Sequence, residues 1–151
     1  MNPDKKIRRL QSLLYTSGVG TILFSLWTGI RGIGAFFEGL NEISGLDNEV
    51  PEVILGIFFF AVLFFFISFY IYIGKRAIDA SLGKCKGNAY IVMALISVVI
   101  SIAAYISDFI SQQSLGWTNV EDMILFVIDF TSNVILVEVV VFSILLRKWR
   151  D

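Results

Sequence analysis

Four long apolar stretches, at 10–31, 52–74, 89–110 and 122–146, occupy most of this 151-residue chain. A bilayer core about 30 Å thick is crossed by roughly 20 apolar residues in helix. Lipid offers the backbone no hydrogen bonds, so spans of this kind close their own as helices. The expected fold is all-α: one transmembrane domain over 1–151, an integral membrane four-helix bundle with short connections. A hydrophobic content of 56% and a mean hydropathy of +0.78 agree with it.

Eleven of the twelve Lys and Arg residues lie outside these spans, on one expected side. Lys5, Lys6, Arg8 and Arg9 precede the first span, and Lys75, Arg76, Lys84 and Lys86 separate the second from the third. Arg147, Lys148 and Arg150 follow the fourth. The opposite ends carry Glu38, Glu42, Asp47, Glu49, Glu52, Glu121 and Asp122. The positive-inside rule then places both termini in the cytoplasm, N-in and C-in, in an inner or plasma membrane. Reading the first span as a cleaved signal sequence fits poorly, because it is too long and lacks an A-x-A site.

Several function classes fall away at this level. A single cysteine, Cys85, cannot build a disulfide framework. There is no histidine, and the carboxylates lack the spacing of a dedicated metal site, so neither metal nor cofactor is expected. Gly29-Ile30-Arg31-Gly32-Ile33-Gly34 ends a span and follows no strand, which excludes a nucleotide-binding glycine motif. The basic loops have no interleaved aromatics and do not suggest nucleic acid. Tyr105, Asp108 and Arg31 are not gathered into a reacting set, so the chain is not expected to be an enzyme.

The spans differ in character. The second is apolar all round, carries seven phenylalanines from Phe58 to Phe69, and is expected to face lipid, with Tyr70 and Tyr72 at headgroup level. In the first, Ser17, Thr21, Ser25 and Gly29 recur every four residues and share one helix face. In the third, Ala94, Ser97, Ser101, Ala104 and Asp108 run at 3-4 spacing. Small residues on one face permit close helix packing, so the first and third spans are expected to meet along these stripes. Beyond the first span, Ile33, Phe36, Phe37, Leu40 and Ile43 keep a helical period. That predicts either a continuation of the helix or a short one in the outer interface. Gly45-Leu46-Asp47-Asn48 reads as a turn before Pro51, Gly83 and Gly87 as a tight inner turn, and Thr118-x-x-Glu121 as a capping box.

Four ionisable residues associated with the spans need explaining: Arg31, Asp108, Asp129 and Glu138. Arg31 and Asp108 have matching depth near the outer boundary, which predicts an ion pair or outer gate. Arg31 could also reach down to Asp129, leaving Asp108 without it. Asp129 and Glu138 lie inside the fourth span, where insertion of a charged Asp costs about 2.5–3.5 kcal/mol. Nine residues at about 100° each place these two acids on opposite faces of one helix. Asn133 shares the Asp129 face and Thr131 the Glu138 face. Two opposed polar stripes are not hidden by one neighbour, so self-association into a homo-oligomer is expected. The leading functional expectation is passage of ions, protons or a small solute, with Asp129, Glu138, Asn133 and Thr131 as cation- or proton-binding candidates. The alternative is a non-catalytic membrane subunit that binds and stabilises or regulates a larger membrane complex.

Overall fold

The computed structural model describes residues 3–43, 52–84, 87–115 and 120–149; within them, several side chains, including those of 104, 105, 107–115 and 120–123, fall outside the description. The fold is all-α, about 95% helical, with no strand among the described residues. Its helices are α1 (Pro3–Ile43), α2 (Glu52–Ser81), α3 (Ala89–Leu115) and α4 (Val120–Lys148). Three are long and apolar enough to cross a membrane, over Asp4–Gly34, Val53–Ser81 and Ile124–Lys148. The described apolar part of α3, Ala89–Ala103, is shorter.

Local chemistry accounts for the helix ends. Pro3 opens α1, where its missing N–H is no loss, and Asp4 in the first turn complements the helix dipole. Arg147 and Lys148 do the converse in the last turn of α4. At the end of α2, Gly83 N–H donates to the Ala80 carbonyl at 3.1 Å and Lys84 N–H to Asp79 at 2.8 Å. This is a Schellman closure, and the φ of 78° at Gly83 is the left-handed conformation it requires. Ile91 and Val92 N–H groups both return to the Asn88 carbonyl, which starts α3. The Gly83 end of the expected turn is thus present, and residues 85 and 86 lie outside the description. The expected outer turn at 45–48, Pro51, Thr118 and Cys85 lie outside the described residues. Beyond the first span α1 runs unbroken to Ile43, so that segment is a continuation and not a separate helix.

The strongest helix contact is between α1 and α2. Gly18, Ile22, Gly29, Gly32 and Phe36 form a 4-3 ladder along α1 that lies against Gly74, Ile67, Leu63 and Gly56 in antiparallel order. A Cβ placed on Gly74 would sit 2.6 Å from the Gly18 carbonyl oxygen, so these two backbones touch. At the other end Phe36 stacks on Phe59, with ring centroids 5.1 Å apart. The second helix packs α1 along this seam and exposes the rest: Phe58 is 70% accessible and Phe64 72%, as a lipid-facing surface requires.

Among the described residues the expected meeting of the first and third spans does not occur: α1 touches α2 and α4, and α3 touches α4 and more thinly α2. The reason is visible in the hydroxyls. Thr21 donates to the Ser17 carbonyl, Ser25 to Ile22 and Ser97 to Met93, each within its own helix. These groups are buried, at 2%, 1% and 6%, but they bridge nothing. The glycine face beside them brings backbones together, and Gly29 belongs to it, set against Ile67 of α2. The apolar core sits in the half nearest the basic residues, where Leu14, Ile73, Ala77, Tyr90, Ala94, Leu136 and Val139 are almost wholly buried.

Candidate functional site

Above that core the helices diverge around a cavity of about 300 Å³. Thr21, Ser25, Thr28 and Arg31 reach it from α1, Tyr70 and Phe66 from α2, and Ser101 from α3. Asp129, Ser132, Asn133 and Leu136 reach it from α4. Every helix contributes, and the polar groups come mainly from α1 and α4. Leu136 belongs to both lining and core, so it forms the floor and closes the cavity toward the basic end.

At the upper part of the cavity Arg31 donates to the Asp129 carboxylate in an ion pair. The expected Arg31–Asp108 pair falls on a side chain outside the described residues; the other expected reach of Arg31, down to Asp129, is present. Helix geometry explains that reach. A helical side chain leans toward the N-terminus of its helix, so Arg31 on α1 points back toward the end of the bundle that carries the basic residues. The two side chains remain 44% and 42% accessible, so the pair is open to a molecule entering the cavity. Asn133 braces the acid's own turn by donating from Nδ2 to the Asp129 carbonyl at 3.1 Å.

Glu138 finds a different partner on the same helix. Ser17 donates from its hydroxyl to Glu138 Oε2 at 2.8 Å. Ser17 and Arg31 are two heptads apart and share a face of α1, whereas Glu138 and Asp129 flank α4 on opposite sides. Along the axes Ser17 to Arg31 spans about 21 Å, and Glu138 to Asp129 only about 13.5 Å, at 1.5 Å per residue. The long guanidinium side chain reaching back along α1 makes up that difference. Two opposed acids are therefore satisfied by one neighbouring helix.

Polar groups lie between the two acids without forming an unbroken hydrogen-bond chain. Thr21 lines the cavity and bonds the Ser17 carbonyl at 2.9 Å, and the Ser17 hydroxyl bonds Glu138. Of the residues singled out in the sequence, the cavity gathers Thr21, Ser25, Arg31, Ser101, Asp129 and Asn133. Ser17 and Glu138 lie just beyond it. Thr131 is exposed and donates to the Val127 carbonyl of its own helix, so it does not join Glu138. Gly29 and Ser97 remain packing residues.

The sequence reading missed Tyr70. Expected only as a headgroup-level anchor, it lines the cavity, hydrogen-bonded to the Ser101 side chain. The available signal was its place on the 63-67-70-74 ladder of α2, which alternates by four and three and marks the face turned to α1. Thr28, also missed, continues the Thr21–Ser25 stripe one turn toward Arg31. Among the described residues no group of three or more acidic, His or Cys side chains is placed to hold a metal ion.

The site offers one charge of each sign, an amide and several hydroxyls in a partly enclosed space at membrane depth. Comparison with protein-family models, with curated proteins and with solved structures yields no match for this chain.

Proposed function

We propose that this chain is a four-span membrane protein, N-in and C-in in an inner or plasma membrane, that permits passage of ions, protons or a small solute. The observation that carries the proposal is the polar cavity with the Arg31–Asp129 pair exposed inside it. Its volume lies at the small end of ligand sites, which span about 300–1,000 Å³. The orientation rests on the basic residues at the ends opposite the cavity.

In this reading Asp129 and Arg31 receive the passing species from the outer side. The Thr21–Ser17–Glu138 group is the next polar station inward, and Leu136 with its neighbours forms the closed inner gate. The cavity lies among helices of one chain, so a monomer suffices, and sizing in mild detergent separates that from a homo-oligomer. Flux into liposomes tests the assignment. The Asp129→Asn, Glu138→Gln double variant should lose flux while keeping helicity; unchanged flux would remove both acids from the role.

The closed inner half favours a second reading, a non-catalytic subunit of a larger membrane complex. Purification in native lipid decides between them, since a stoichiometric foreign subunit without intrinsic flux supports the second.

A further inference from the structure

At Arg31 a second concavity adjoins the polar one. It is an apolar groove of about 320 Å³ between α1 and α2, lined by Gly32, Phe59, Val62 and Leu63, and it shares Thr28, Arg31 and Phe66 with the polar cavity. Two compartments of opposite character thus meet at one guanidinium. We infer that the occupant is a zwitterionic phospholipid. Its phosphate is held by Arg31, its ammonium by Asp129, and one acyl chain lies in the groove.

Three observations converge on that chemistry. Charge complementarity comes first: the Arg31–Asp129 pair presents one cation and one carboxylate side by side, each about half accessible. A head bearing a phosphate and an ammonium can replace the pair with two pairs of its own, so neither side chain is left bare. Arg is suited to the phosphate because its planar fork matches the oxygens. The second observation is shape. The groove opens from the cavity at the point where the phosphate would sit, and its side chains beyond that point are apolar.

Depth is the third. Asp129 lies about 10 Å below the outer end of its span, and Phe59 to Phe66 cover roughly 10–21 Å below the outer end of α2, at 1.5 Å per residue. A chain leaving the head therefore runs toward the bilayer centre, as an outer-leaflet acyl chain does. Replacement of Gly32 would crowd this passage, because a Cβ there meets Leu63 at 2.5 Å.

The inference rests on the cavity as the ligand site of a membrane-spanning protein and names what that site takes. The test uses the full chain in mild detergent with labelled phosphatidylethanolamine, phosphatidylglycerol and free phosphoethanolamine. Wild type should retain phosphatidylethanolamine at least about tenfold better than phosphatidylglycerol, about 1.4 kcal/mol, because only the former supplies a cation to Asp129. Asp129→Asn should abolish that preference, and Arg31→Gln should weaken retention of both lipids. Val62→Trp, at an exposed position that leaves the ion pair intact, should weaken lipid retention by a similar factor. Equal retention of both lipids, or free phosphoethanolamine competing as well as the whole lipid, overturns the inference. Flux without selective retention overturns it and leaves the passage proposal standing; retention without flux supports it and removes passage.

Discussion

Gly74→Ala should open the α1–α2 seam, and the size of the effect can be worked from the contact. The added Cβ would lie 2.6 Å from the Gly18 carbonyl oxygen and 2.7 Å from Ile22 Cγ1, while ordinary contact begins near 3.4 Å. The helices must then part by about 0.8 Å, because a backbone carbonyl inside a helix cannot turn aside. Overpacking of this kind costs about 1–3 kcal/mol. A gap of 0.5–1 Å forfeits about a quarter to a half of each dispersion well along the rest of the seam, which places the variant at the upper end. Gly34→Ala is the internal control, since nothing lies within 4 Å of its Cβ and helix preference alone gains about 0.5–1 kcal/mol. The two variants should differ by about 3 kcal/mol in reversible unfolding in mixed micelles. Gly18→Ala, with its Cβ 2.9 Å from the Gly74 carbonyl, should be milder, and the double variant should cost less than the sum because one separation relieves both clashes. Gly32→Ala provides a sharper check. Its Cβ meets Leu63 Cδ1 at 2.5 Å, closer than any contact at Gly74, yet that atom ends a flexible side chain and can move. It should therefore be cheaper than Gly74→Ala. If Gly32→Ala is the costlier, or if Gly74→Ala falls within about 0.5 kcal/mol of wild type, the argument from backbone contact is wrong.

Glu138→Leu strands the buried Ser17 hydroxyl and should destabilise by about 1–3 kcal/mol, whereas Glu138→Gln keeps an acceptor and should cost less; a double-mutant cycle with Ser17→Ala measures the coupling, and no coupling refutes the contact. Ser143 is 1% exposed and its hydroxyl has no hydrogen-bond partner among the described residues, so Ser143→Ala should raise stability by about 1 kcal/mol. A loss on that substitution would mean the hydroxyl is satisfied. Gly83→Ala places a Cβ in the left-handed region and should cost about 1–2 kcal/mol, with Gly83→Asn cheaper; equal thermal midpoints for the two would contradict the turn geometry.

The legible part of the fold is what a single segment encodes. Span length, the Gly83 turn and the charge difference between the two ends each depend on neighbouring residues in the chain. Pairing between helices was not legible, because two candidate seams on α1 lie side by side. The hydroxyl stripe of Ser17, Thr21 and Ser25 and the glycine ladder of Gly18, Gly29 and Gly32 overlap at their edges, their centres about 50° apart around the helix. Only the matching Gly74 on α2 decides between them, and that match is a relation across more than fifty residues. The site shows the same division. Asp129 and Glu138 stood out because a membrane helix penalises charge wherever it packs. Tyr70 did not, since a tyrosine in an aromatic-rich span resembles an interfacial anchor until its ladder is compared with that of α1. Arg31 was assigned by depth alone, and depth measured at the Cα omits the inward lean of a long side chain.

The ion pair joins the first helix to the last, across 98 positions. A ribosome adding about 5–20 residues per second needs roughly 5–20 s to make that interval. Throughout it the guanidinium of Arg31 exists without its carboxylate, while Gly18 and Gly74 become available to each other sooner. The expected order of assembly is the α1–α2 hairpin first, with Arg31 meeting Asp129 only once α4 has been made. Chains truncated before α4 should leave a cysteine placed at position 31 open to labelling from outside, and protection of that position in such chains would contradict this order.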